Sequence, residues 1–294
     1  MAESMQDIKR RIRSITSTEH ITNAMKLVAS AKFRKSKLTF DKTNEYLGYV
    51  TRAINDACVS AKEVSSVFIG DDQDADKVCY IVITSNKGLC GAFNSNVIKK
   101  AEALMKENGG ESQLVTIGLK GRDYFQKRNY NITGECLISA EALTFVEAKE
   151  ISEPILKMYE EGEINKVVLV YTKFVNTMHQ EVDTKVLLPM KMEDVLPGEE
   201  EKPAEPKLES PAEFAPSAAQ VLNYLIPKYM ELELYKSMVE SSVCEFIGRR
   251  VAMENATDNA QDMLGKLSLN YNRARQSAIT NELIEIVAGA EALQ

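Results

Sequence analysis

Residues 85–96, SNKGLCGAFNSN, hold the side chains whose types and spacing come nearest to catalysis or ligand binding. Gly88 and Gly91 stand just ahead of a helical pattern, and the free N–H groups at a helix start are a natural receptor for phosphate. The lettering of a phosphate loop is missing, however. Neither a GxxxxGKS/T nor a GxGxxG string can be written here, and Lys87 precedes both glycines instead of following them. A glycine turn that opens a helix inside a βαβ unit is the reading these letters favour.

Cys90 in the same loop is a candidate nucleophile, because a helix N-terminus lowers a thiol pKa. It needs a base, and the chain has two histidines, His20 in a helical run and His179 in a turn. Cys–His and Ser–His catalysis are therefore not indicated. Two separated histidines and scattered carboxylates also make no recognisable metal-ligand set. The remaining four cysteines, Cys58, Cys79, Cys136 and Cys244, lie far apart with no CxxC spacing, which argues against a disulfide framework or a zinc site and fits a reducing compartment.

Charge offers two further candidates. Residues 1–40 carry nine Lys/Arg against three Asp/Glu, within a chain whose net charge is −7. Such a helix can follow a nucleic-acid backbone, lie solvated, or turn against acidic protein surfaces. Its aromatic residues are Phe33 and Phe40 alone, too few for base stacking on single strands. At the other end, residues 251–294 are rich in small side chains, with Arg273, Arg275 and Gln276 followed by Thr280 and Glu282. Small residues let helices approach closely; they also make a smooth surface able to slide inside a collar.

The elements that must carry these residues follow from periodicity. From Met5 to about Cys58 there is no proline, one glycine (Gly48), and a three-four repeat through Met5, Ile8, Ile12 and Ile15, which predicts one long helix. At about 1.5 Å per residue it would extend on the order of 80 Å, more than a compact domain of this size needs. Residues 217–293 predict a second, with Leu264, Leu267, Tyr271, Ala274 and Ala278 in one stripe. Ile279, Leu283, Ile286, Ala290 and Leu293 resume it one position later, a phase slip of the kind that disturbs a coiled coil. The economical arrangement is an antiparallel hairpin interrupted by a middle domain.

That domain alternates. The pattern predicts strands at 78–85, 113–118, 132–138, 166–174 and 181–189, and helices at 95–108, 119–128 and 144–161. Near-continuous apolar strands separated by helices predict a mostly parallel sheet covered on both faces, with the last two strands antiparallel at one edge. The fold class is thus α/β, a Rossmann-like domain at 76–190 with a coiled-coil shaft from 1–60 and 215–294. Between them, 191–214 is an acidic linker containing Pro197, Pro203, Pro206 and Pro211. Hydrophobic residues at 44% and charged residues at 27% fit a soluble globular class, and no stretch approaches the roughly 20 apolar residues that cross a bilayer. The opening MAESMQDIKRRIRS lacks the apolar core of a secretory signal.

Residues 8–36, IKRRIRSITSTEHITNAMKLVASAKFRKS, resemble the opening helix of the gamma subunit of F-type ATP synthases. RVAMENATDNA and YNRARQSAITNELIEIVAGA resemble its closing helix, and SNKGLCGAFNSN its S-x-K/R-G-L-C-G-x-x-N loop. The resemblance implies a non-catalytic rotor without cofactor, whose antiparallel coiled coil threads a hexamer of alternating alpha and beta subunits. It implies one copy per complex, a Rossmann-like domain near the epsilon subunit and the membrane c ring, and a peripheral place on the cytoplasmic face of a bacterial membrane. Met25 is expected against the acidic lever of a beta subunit, and Arg275, Gln276, Thr280 and Glu282 against beta-subunit loops. Nucleic acid is not an expected partner.

Departures from the family pattern are local. Asn23 and His20 stand at positions commonly held by lysine, and EFAPS at 213–217 replaces a YEPSP foot, with Ala215 where a carboxylate is expected. The cysteine-bearing insert of chloroplast relatives is missing, so thiol control of that kind is not expected. A second reading of the residues themselves is a small α/β nucleotide-binding enzyme with helical dimerisation arms. It differs by requiring ligand binding at the Gly88–Gly91 loop and pairing of the arms with another copy.

Overall fold

The computed structural model describes residues 5–60, 67–70, 76–109, 111–138, 140, 142–190, 214 and 217–291. The acidic linker and the 213–216 part of the foot lie outside these, apart from Phe214. By contacts the chain forms two units, Met1–Ser30 with Arg249–Gln294, and Ala31–Gly248.

The elements run α1 (Met5–Ser60), β1 (Lys77–Ile83), α2 (Phe93–Asn108), β2 (Glu111–Ile117), α3 (Leu119–Gln126), β3 (Ile132–Cys136), α4 (Phe145–Glu160), β4 (Lys166–Phe174), β5 (Gln180–Leu188) and α5 (Ala218–Glu291). All eight predicted inner elements are present, with ends moved by a few residues for local reasons. β3 stops before Leu137 because the carbonyls of Leu137 and Ile138 accept from Asn86 Nδ2, at 2.8 and 3.1 Å, instead of from a strand. α4 starts on a capping box: Thr144 accepts from Val146 N while Glu147 accepts from Thr144 N at 2.8 Å. Pro227, a breaker by type, sits inside α5 without ending it.

The sheet order is β3-β2-β1-β4-β5, parallel except for the antiparallel β4–β5 pair. Strand alternation divides its side chains between two cores. Cys79, Ile81, Ile83, Val115, Ile117, Val167 and Leu169 face α4 together with residues of α1 (Ile54, Ala57) and α5 (Leu222, Ile226, Met230). Tyr80, Val82, Leu114, Val168 and Val170 face Val97, Ala101 and Met105 of α2 and Phe125 of α3. Ile81, Leu169, Phe125 and Met230 are fully enclosed, and burying a side chain of this size contributes about 1.5–3 kcal/mol. The second half of α1, from Ala31, and the first part of α5, up to Gly248, therefore belong to the α/β body.

In the other unit α1 and α5 run antiparallel. The hydroxyls of Thr22 and Thr257 meet at 2.8 Å, and one turn further along each helix Gln261 Nε2 reaches Glu19 Oε1 at 3.2 Å. Each hydroxyl has one proton, so Thr257 donates to Thr22, which donates in turn to Glu19 O at 3.0 Å. Ile8, Ala29, Met253, Ala260 and Leu267 are buried along the pair. Among the described residues no helix is long and apolar enough to cross a membrane.

Candidate functional site

The Gly88–Gly91 loop is a fastening. Ser85 N donates to Asn94 Oδ1 at 2.9 Å, Ser85 Oγ donates to Lys87 O at 2.7 Å, and Asn94 Nδ2 donates to Cys90 Sγ at 3.2 Å. Leu89 and Gly91 hold positive φ, 62° and 63°. Cys90 is buried with Phe93 and Cys244. The loop lies directly on α5, where a Cβ placed on Gly248 would come within 2.7 Å of Cys90 O. By residue type Gly248 is a helix breaker; an isolated glycine in an otherwise strong helix points instead to close backbone approach. The loop's own side chains and α5 thus occupy the ground in front of α2.

Burial raises the thiols of Cys58, Cys79, Cys136 and Cys244 above the ordinary range, Cys79 to about 12. Thiols so placed are poor nucleophiles. His20 and His179 are exposed and face carboxylates, Glu19 at 3.3 Å and Glu181 at 3.8 Å. Among the described residues there is no cluster of three or more His, Cys, Asp or Glu able to hold a metal.

The five residues expected at a partner surface fall into two groups. Met25 is half-buried on α1, in the paired region. Arg275, Gln276, Thr280 and Glu282 stand exposed near the end of α5. Given the Thr22–Thr257 register, Met25 lies opposite residue 254 or so, about 30 Å along the helix from Arg275. One contact patch cannot hold both groups. Around the second, Ile279 is 50% exposed, Leu283 58%, Ile284 59%, Ile286 62% and Val287 63%. Ile279, Leu283 and Ile286 belong to the stripe that resumes one position late, Ile284 and Val287 flank it, and all five are exposed. At 3.6 residues per turn their side chains fall on one broad face of α5, roughly 160° wide, and exposed apolar surface of this extent marks an interaction site.

A cluster that sequence reasoning missed lies in the α/β body. Glu231, Glu233, Glu240 and Glu245 of α5 are all buried. Lys228 pairs with Glu231 at 2.8 Å, Lys185 of β5 with Glu233 at 3.0 Å, and Lys236 stands 3.6 Å from Glu233 and 3.5 Å from Glu240. Burial raises Glu240 above the ordinary carboxylate range against the pull of Lys236. Burial works to lower Lys185, but Glu233 and Tyr229 outweigh it and hold the ammonium above the usual range. The signal was available: Glu231 and Glu233 interrupt a run whose neighbours Met230, Leu232 and Leu234 are all apolar. A groove of about 470 Å³ also opens between α1 and α5, lined by Lys42, Tyr46, Val50, Tyr224, Lys228 and Tyr235.

Comparison with known proteins gives a consistent result. The family model described as ATP synthase matches residues 4–293. The ATP synthase gamma chain of Alkaliphilus metalliredigens is 43% identical over 294 residues, covering all of both chains. The sodium ion specific ATP synthase gamma chain of Acetobacterium woodii is 40% identical over 305 aligned residues, again covering all of both. Among solved structures, a chain of the Euglena gracilis mitochondrial ATP synthase, from a structure of its OSCP, F1 and c-ring parts, aligns with a TM-score of 0.70 at 20% identity, covering 98% of this chain and 94% of that one. That likeness speaks to the fold.

Proposed function

This chain belongs to the gamma chain family of ATP synthases, the rotor subunit and not the catalytic one, and we propose that it works through two separate contact zones on its paired helices. The exposed end of α5 is the first: Arg275, Gln276, Thr280 and Glu282, set among Ile279, Leu283 and Ile286, meet loops of the beta subunits. Met25, about 30 Å away along the pair, is the second and meets a beta-subunit lever. Asn23, half-buried, and His20, exposed, stand beside it and leave that contact with less positive charge than lysines would give. The α/β body takes the epsilon subunit and the c ring, which places one copy of the chain on the cytoplasmic face of the membrane.

The observation that carries this reading is the apolar end of α5, which has no partner among the described residues. The mechanism needs no residue of the chain to touch ATP. A shaft whose faces differ makes each surrounding catalytic site differ in nucleotide affinity at any instant, so shaft angle and nucleotide state are coupled. Coupling is reciprocal in free energy, so ion flow turning the shaft favours synthesis and ATP hydrolysis drives it backward. Reconstitution tests this. The full chain mixed with matching alpha and beta subunits assembles at one copy per hexamer and supports ATP turnover, and a chain ending at Lys266 is impaired. Equal turnover with the shortened chain overturns the proposal.

A further inference from the structure

β1 and β4 pair only as far as Val82 and Val170, while β4 continues to Phe174 beside β5. Along residues 171–174 no strand among the described residues bonds the β1 side of β4. Two side chains of α5 take the strand's place. Thr172 N donates to Ser241 Oγ at 3.4 Å, and Phe174 N donates to Glu240 Oε1 at 2.9 Å. Glu240 is 3% exposed, and its other oxygen faces Lys236 at 3.5 Å. The ring of Phe174 is held from a third direction: it meets Phe40 of α1 edge-on at 6.3 Å, and Lys37 Nζ lies 5.3 Å from both rings. Phe174 is thus tied to α5 by its amide and to α1 by its ring.

We propose that this three-way tie at Phe174, with Glu240 as its positioning residue, is where torque passes between the sheet and the two long helices. A parallel sheet packed on helices only through apolar side chains resists separation well and sliding poorly, because dispersion contacts have no preferred direction. A charge-assisted hydrogen bond from a strand amide to a buried carboxylate is directional and fixes the register of strand against helix. The apolar cores hold the sheet on; the tie keeps it from slipping under load. The inference rests on the rotor role of the chain, and wild-type coupling in the same preparation establishes that role independently.

The test uses the complete ATP synthase carrying Glu240→Ala, Glu240→Gln or Phe174→Leu. Two quantities are read: ions pumped per ATP hydrolysed, and hydrogen exchange of the 171–175 amides. Glu240→Ala should speed that exchange about five- to tenfold and cut the pumping ratio to roughly half or less, with hydrolysis maintained. Glu240→Gln keeps an oxygen able to accept from Phe174 N and should restore both. Phe174→Leu keeps the amide and loses the ring contacts, so it should lower the ratio without exposing the amide, and it carries the test if the alanine variant fails to assemble. A full pumping ratio in Glu240→Ala or in Phe174→Leu overturns the proposal, as does a glutamine variant as impaired as the alanine one.

Discussion

Among the described residues, the paired segments bury two polar side chains, the hydroxyls of Thr22 and Thr257, whereas the α/β body buries four carboxylates of a single helix. The first unit uses a thin seam of small and aliphatic residues and leaves its far end uncovered. The second is a closed two-core body whose polar groups are tied across elements by lysines and strand amides. An exposed apolar end and a closed, internally tied body thus appear as different burial patterns along the same two helices.

The contrast breaks first at the exposed end. Replacing Ile279, Leu283 and Ile286 together with aspartate should lower ATP-driven turnover of the reconstituted complex by about tenfold or more, equivalent to about 1.4 kcal/mol of lost interaction. The thermal unfolding of the isolated chain should not change, since these residues support nothing in it. A second change does the reverse. Gly248→Val puts a side chain against Cys90 O, which a Cβ would already approach to 2.7 Å, and should destabilise the body by about 1–3 kcal/mol in chemical denaturation.

The α/β body was largely legible in the sequence, because a period of two and near-continuous apolar runs are set by the local chain. The register of β4 against α5 was not, since it depends on Glu240 meeting Phe174 and Ser241 meeting Thr172, 66 and 69 residues apart along the chain. The site residues divide the same way. Arg275, Gln276, Thr280 and Glu282 were chosen through family resemblance, and composition had supplied only a helix rich in small residues. The buried Glu233 carried a pattern signal, a charge flanked by Leu232 and Leu234, that reads equally as a solvated face until Lys185 of β5 is placed beside it; Glu240, next to Ser241, carried none.

Smaller effects sharpen the comparison. Thr257→Val removes the hydroxyl donated across the helix pair and should cost about 1 kcal/mol; Thr22→Val should cost less, because Thr257 can turn its proton to Met253 O, 2.8 Å away. The smallest effect is a pH dependence confined to the body. Glu240 faces Lys236, Glu233 and Cys244 on α5, and the amide of Phe174 and Tyr171 on β4. Its carboxyl is raised above the ordinary 4.5, so the folded chain binds this proton more tightly than the unfolded one. That contribution is present below the unfolded pKa and is lost as pH rises through the folded one. Melting temperature followed across this window should fall less in Glu240→Gln than in the unaltered chain.

The central claim is that the chain turns as a shaft, and the structure offers a handle for seeing it. All five native cysteines are buried, and Met178, in the β4–β5 turn, is 93% exposed, so Met178→Cys gives a single accessible thiol for a bead or gold rod. With the alpha and beta subunits fixed to a surface and ATP added, the probe should rotate continuously in one direction, and the chain ending at Lys266 should turn with reduced torque. ATP hydrolysis at a normal rate with a stationary probe would contradict the account.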